Sequence, residues 1–65
     1  MKNMEYGYLF KATDKLNRSY NYMFVGRAKE GYDLILKNLT LDEETIVDPK
    51  WFETRKIEPI IIPVL

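Results

Sequence analysis

Aromatic and aliphatic residues alternate with other side chains along most of this chain, and the alternation has the period of a β-strand. In Tyr6 to Lys11, Tyr6, Tyr8 and Phe10 alternate with Gly7, Leu9 and Lys11, which puts the two sets on opposite faces of an extended segment. The polar, turn-rich stretch Thr13 to Ser19 separates this from Tyr20 to Arg27, where Tyr20, Tyr22 and Phe24 alternate with Asn21, Met23 and Val25. Both faces of the second segment are substantially apolar. That suits a strongly curled strand serving a core from more than one side, as in a small barrel.

Lys29-Glu30-Gly31 reads as a hairpin connection, because Gly31 takes the positive φ of a tight turn without strain. A third strand follows, with Tyr32, Leu34 and Leu36 toward the core, Asp33 and Lys37 toward water, and Ile35 exposed or facing a partner. The window Ala28 to Leu39 also holds good helix formers, but Gly31 near its middle and the alternation after it favour a strand. Leu41 to Glu44 reads as an acidic turn and Thr45 to Asp48 as a short β-branched strand. In Asp48-Pro49-Lys50-Trp51-Phe52, an aspartate cap and a proline at the first helical position predict one helical or 3₁₀ turn. β character resumes from Ile57 to Leu65, where Pro59 and Pro63 cannot donate to a ladder and so place part of the segment at a sheet edge. The pattern predicts a core of Phe24, Leu34, Leu36, Val47, Phe52 and Ile57.

Length and composition bound this picture. Sixty-five residues make a single domain spanning 1–65, since one core uses most of a chain this short. Stability of roughly 3 to 10 kcal/mol follows at about 0.05 to 0.15 kcal/mol per residue. A 46% hydrophobic chain with five Tyr, three Phe and one Trp has enough apolar area to fold despite its many charges. Without cysteine, neither a disulfide nor a thiolate metal site supports the fold, and a reducing cytoplasm is the expected compartment. Met1 to Gly7 forms no apolar leader, and the apolar run Pro59 to Leu65 is too short to span a bilayer.

Four strands, a helical turn carrying an aromatic pair and a last strand form an order that resembles the small SH3-like barrels of bacteria and their phages. The residues that carry the resemblance are the run YMFVGRAKEGYDLILKNL and the run TIVDPKWFETRKI. It implies an all-β, five-stranded SH3-like barrel with one short 3₁₀ or helical turn before the last strand. It also suits a phage or mobile-element accessory protein that acts on a host protein. The ALYDY-type segment, acidic first loop and tandem tryptophans of the peptide-binding SH3 domains are missing, so binding of proline-rich peptides is not implied. SH3-like barrels host many unrelated roles.

The chemistry available is narrow. With neither His nor Cys, serine and cysteine triads and the usual zinc sites cannot be assembled, and the glycines lack phosphate-loop spacing. Asp42, Glu43, Glu44 and Asp48 form a carboxylate cluster without the spacing of a calcium loop, which reads as a solvated acidic turn. The expectation is a protein that is not an enzyme and carries no cofactor or metal.

Binding surfaces remain. Five tyrosines are too many phenols for one small core, since each buried hydroxyl needs a partner or a path to water. Tyr8, Tyr20 and Tyr22, with Arg18 nearby in sequence, read either as half-buried rings with wet tips or as an aromatic docking patch. Of the adjacent pair, Phe52 is expected inside and Trp51 partly exposed. Ile60, Ile62 and Leu65 belong to a C-terminal run more apolar than one closing strand needs. Either the run closes against the first strand and covers the barrel bottom, or it offers an edge to another chain. The expected partner is a protein, or a second copy of this chain through its C-terminal strand. Nucleic acid ranks behind, through Tyr20, Tyr22, Lys15 and Arg18, because ten basic and ten acidic residues cancel and leave little phosphate attraction. The charge is nonetheless uneven: residues 1–40 carry seven basic and four acidic groups, and residues 41–65 three and six.

Overall fold

The computed structural model describes residues 5–28 and 33–61. Five strands and one helical turn follow one another: β1 Leu9–Thr13, β2 Ser19–Arg27, β3 Leu34–Asn38, β4 Glu43–Val47, α1 Lys50–Glu53 and β5 Lys56–Pro59. All pair antiparallel in one sheet of order β4-β3-β2-β1-β5. The sheet is open. β4 and β5 form its two edges and do not bond to each other, so the closed ring of strands expected of a barrel is not formed. Pro59 lies in the edge strand β5, where its missing N–H costs no ladder bond. No helix among the described residues is long and apolar enough to cross a membrane.

Strand alternation sorts the side chains by face, and pairing aligns the sorted rows. Phe10 stands opposite Tyr22 and Pro59, Ala12 opposite Tyr20 and Ile57, Phe24 opposite Leu36, and Leu34 opposite Val47. Phe10, Ala12, Tyr22, Phe24, Leu34, Leu36, Val47 and Phe52 make the buried core, and Phe10 and Leu36 are fully enclosed. Five of the six predicted core residues are in this set. The sixth, Ile57, is partly buried against it. Phe10, Ala12 and Tyr22 join the core beyond the predicted list, since the register brings them into the same row as Phe24 and Leu36. On the opposite face, Leu9, Met23, Val25 and Ile35 are half-buried and Ile46 is exposed.

Two backbone features bend the sheet. The β2–β3 register shifts between Phe24 and Gly26, leaving Val25 as the extra residue of a bulge, and Gly26 takes φ +156°, a conformation that side-chain-bearing residues rarely adopt. Gly7, at φ +87°, sits in a turn closed by Tyr8 N–H donating to Glu5 C=O at 2.9 Å. This turn is why the first strand begins at Leu9 and not at Tyr6, which is 76% exposed. The strand also runs past Lys11 to Thr13, which pairs with Ser19 and shares a 2.8 Å hydroxyl hydrogen bond with it.

The β3–β4 turn falls at Leu39 to Asp42, two residues ahead of the expected acidic turn, so Glu43 and Glu44 belong to β4. Asn38 fixes it there. Its buried side-chain oxygen accepts the Leu41 N–H at 2.9 Å, and Asp42 takes the positive φ of 58° that aspartate tolerates. Asn21 ties the turn to β2, donating its N–H to Thr40 Oγ1 at 2.9 Å and accepting Leu39 N–H at 2.7 Å. The hairpin at Lys29 to Gly31, together with Tyr32, lies outside the described residues.

Candidate functional site

Pro49 begins the helical turn with φ −58° and ψ −26°, and Asp48 just before it accepts the Trp51 N–H on Oδ1 at 3.2 Å. Capping at this point orients the next two side chains differently. Phe52 turns inward to 6% exposure, and Trp51 remains partly exposed against the core. That is the division expected from their adjacency.

Trp51 is the hub of an aromatic cluster. It meets Tyr22 edge-on at 5.1 Å between ring centroids, Phe52 at 4.9 Å and Phe10 at 6.4 Å. Tyr8 stacks on Phe10 at 5.8 Å, Phe10 on Tyr22 at 5.5 Å, and Tyr20 meets Tyr22 at 6.5 Å. Three partly exposed rings, Tyr8, Tyr20 and Trp51, therefore rest on a buried layer of Phe10, Tyr22 and Phe52. Tyr22 itself is a correction to the predicted surface set. At 7% exposure it is a core ring, and it stands opposite Asn38 in the register. Burial pushes the Tyr22 phenol above its ordinary value, with nearby Arg55 opposing.

Arg18 stands at the end of the β1–β2 loop, Asp14 to Arg18. Asp14 organises that loop: Oδ1 accepts the N–H groups of Leu16 at 2.9 Å and Arg18 at 3.0 Å, and Oδ2 accepts Arg18 Nε at 2.9 Å. The Arg18 backbone hydrogen bond leads the causes that hold the Asp14 carboxyl below the usual carboxylate range. Asn17 takes φ 64° to complete the loop. Across from it, the turn after α1 brings up Arg55, whose guanidinium lies 4.4 Å over the Trp51 ring and donates through Nη1 to Trp51 C=O at 3.3 Å and Thr54 Oγ1 at 3.1 Å. Asp14, Lys15, Leu16, Arg18, Thr54 and Arg55 line a hollow of about 270 Å³ between the two turns.

Arg55 is the member that the sequence pattern did not single out. It lies beyond the helical turn Lys50–Glu53, and the turn at Thr54 brings it back over Trp51. The carboxylate cluster, by contrast, is dispersed. Asp42 pairs with Lys37 at 2.9 Å, Glu43 and Glu44 point to opposite faces of β4, and Asp48 caps α1.

At the C-terminus, Ile60 N–H donates to Leu9 C=O at 3.1 Å and carries the β1–β5 pairing one residue past Pro59. Pairing with the first strand thus reaches Ile60. Ile60 is half-buried and Ile61 is 85% exposed. Ile62 and Leu65 lie outside the described residues. Comparison of the chain with protein-family models, curated proteins and solved structures gave no match in any of the three.

Proposed function

We propose that this domain is a non-catalytic protein-interaction module that docks a protein partner on the face formed by Tyr8, Tyr20 and Trp51. The observation that carries this reading is the way those rings are held. Each stays partly exposed while packed edge-on or stacked against Phe10 or Tyr22. Rings fixed before binding lose little conformational freedom on docking, and Tyr and Trp are the residues that dominate the energetics of protein interfaces. Kinship with small SH3-like barrels is part of the reading. The order of the antiparallel strands, the bulge at Gly26 that curls β2 and the helical turn ahead of the last strand support it. Self-association through the C-terminal segment is a further part, supported by the exposed Ile61 beside the edge strand β5.

The test uses the chain's single tryptophan. A protein captured on the immobilised domain from an extract of the cells that make it is purified and titrated back. The reading expects the Trp51 emission to shift on binding, and Tyr20→Ala or Tyr8→Ser to weaken binding in domains that denaturation shows to remain folded. Binding that survives both substitutions with Trp51 emission unmoved would overturn it. Retention on single-stranded oligonucleotides that falls steeply with salt would point to a nucleic-acid-binding barrel.

A further inference from the structure

The hollow beside the aromatic face carries a charge that the rest of the chain does not. Its lining brings Lys15, Arg18 and Arg55 together against one carboxylate, Asp14, in a protein whose net charge is zero. Asp14 pairs with one of these cations, Arg18, at 2.9 Å. Both of its oxygens are engaged by the β1–β2 loop's own N–H groups and by Arg18 Nε. The Arg18 guanidinium is thereby anchored through Nε, with its terminal nitrogens bonded to no group among the described residues.

Arg55 is set up differently and to the same effect. Stacking on Trp51 and the bonds from Nη1 to Trp51 C=O and Thr54 Oγ1 fix its plane. Among the described residues no carboxylate lies within ion-pair distance of it. Two guanidinium groups on the wall of one concavity, Arg55 held by neutral partners and Arg18 held through Nε alone by its pair with Asp14, form a receptor for a planar anion. Arginine binds carboxylates through paired N–H donors, and a group already oriented loses less freedom when it binds. The hollow's size sets the scale of the occupant. At about 270 Å³ it has room for one side chain of a larger partner. Leu16, 71% exposed on the same wall, offers an apolar contact next to the cations.

We propose that the hollow between the Asp14–Arg18 loop and the Thr54–Arg55 turn takes an Asp or Glu side chain of the protein partner, with the partner's neighbouring apolar residue against Leu16 and Trp51. This rests on the docking reading above and names the chemistry that the partner must present. A nucleic acid would need a track of cations to follow successive phosphates. Three cations around a single hollow, one of them facing an internal carboxylate, make no such track.

The experiment selects a displayed library of random decapeptides on the whole domain and compares wild type with Arg55→Gln, Arg18→Gln and Tyr20→Ala, each shown by denaturation to be folded. The proposal expects selected peptides to carry Asp or Glu beside an apolar residue. Changing that acid to its amide should weaken binding about tenfold, the loss of a charged hydrogen-bonded pair. Arg55→Gln should weaken the acidic peptide by a similar factor and leave the amide peptide unchanged. Peptides selected without an acid and insensitive to both arginine variants, yet lost with Tyr20→Ala, would overturn the carboxylate site while leaving aromatic docking in place. Failure to select any peptide, with salt-sensitive binding of an oligothymidylate, would overturn both.

Discussion

Phe10 and Tyr22 stand directly opposite each other on β1 and β2, and their rings stack at 5.5 Å with 18° between their planes. Phe10 is completely enclosed and Tyr22 nearly so. Each also supports part of the exposed aromatic face, Phe10 under Tyr8 and Tyr22 under Tyr20 and Trp51. The layer that stabilises the domain is therefore also the floor of its candidate binding face, and the two properties are not separable at these positions.

Phe10→Ala removes a fully enclosed ring from that layer. A loss of about 3–5 kcal/mol is expected, against a total of roughly 3–10 kcal/mol for a domain of this length. Urea denaturation should show most of the variant unfolded in water or at its margin. A midpoint within error of wild type would mean that the Tyr8–Phe10–Tyr22 stack contributes no packing.

Asp48→Ala removes the side-chain acceptor of the Trp51 N–H and leaves only its 3.1 Å bond to the Asp48 C=O. Loss of a capping oxygen costs about 0.5–2 kcal/mol, and roughly 4–8 °C of melting temperature accompanies each kcal/mol in a domain of this size. Thermal unfolding followed by circular dichroism should show a drop of this order, and Asp48→Asn, which keeps an acceptor, should recover most of it. Equal losses for both variants would assign the effect to charge.

Much of the strand pattern was legible because short-range alternation is enough to find it. Leu34 and Leu36 read as core in sequence and are core. Burial of Tyr22 was not legible for a physical reason. Its cross-strand neighbour is Asn38, sixteen positions away, and their juxtaposition depends on a register interrupted by the Gly26 bulge. The β3–β4 turn was misplaced because the acidic run Asp42 to Glu44 resembles a loop, whereas the turn is set by the buried Asn38 side chain. The hollow combines a loop and a turn that only the tertiary fold brings together, so neither Arg55 nor its relation to Arg18 has a local pattern.

Tyr22 also gives the fold an alkaline limit. Burial raises its phenol pKa above the ordinary value of 10.0, despite the opposing charge of Arg55. Between the unfolded and folded values the native state keeps a proton that the unfolded chain has lost, so stability falls as pH rises. The contribution is fully present below about pH 10 and is lost as pH climbs through the folded value. Urea midpoints measured from about pH 9 upward should decline more steeply for wild type than for Tyr22→Phe. Tyr6→Phe, at an exposed phenol, should follow wild type. Identical slopes for all three would remove Tyr22 as the cause.

Ile61 tests the C-terminal part of the proposal. It follows Ile60, which is bonded to Leu9, and it is 85% exposed next to the edge strand β5. Covering a fully exposed aliphatic side chain is worth about 1.5–3 kcal/mol, a large share of the roughly 3–10 kcal/mol that holds a domain of this length together. Pro59 has no N–H to give a new strand, which limits ladder growth at this edge and favours a closed pair of chains over an open fibre. Sedimentation equilibrium should show wild-type mass rising above the monomer with concentration, and Ile61→Lys should abolish the rise. Its unfolding midpoint should stay within about 0.5 kcal/mol of wild type, as for a surface substitution. A wild-type chain that stays monomeric at the highest concentrations would remove self-association at this edge, and a strongly destabilised Ile61→Lys would place the side chain against its own domain.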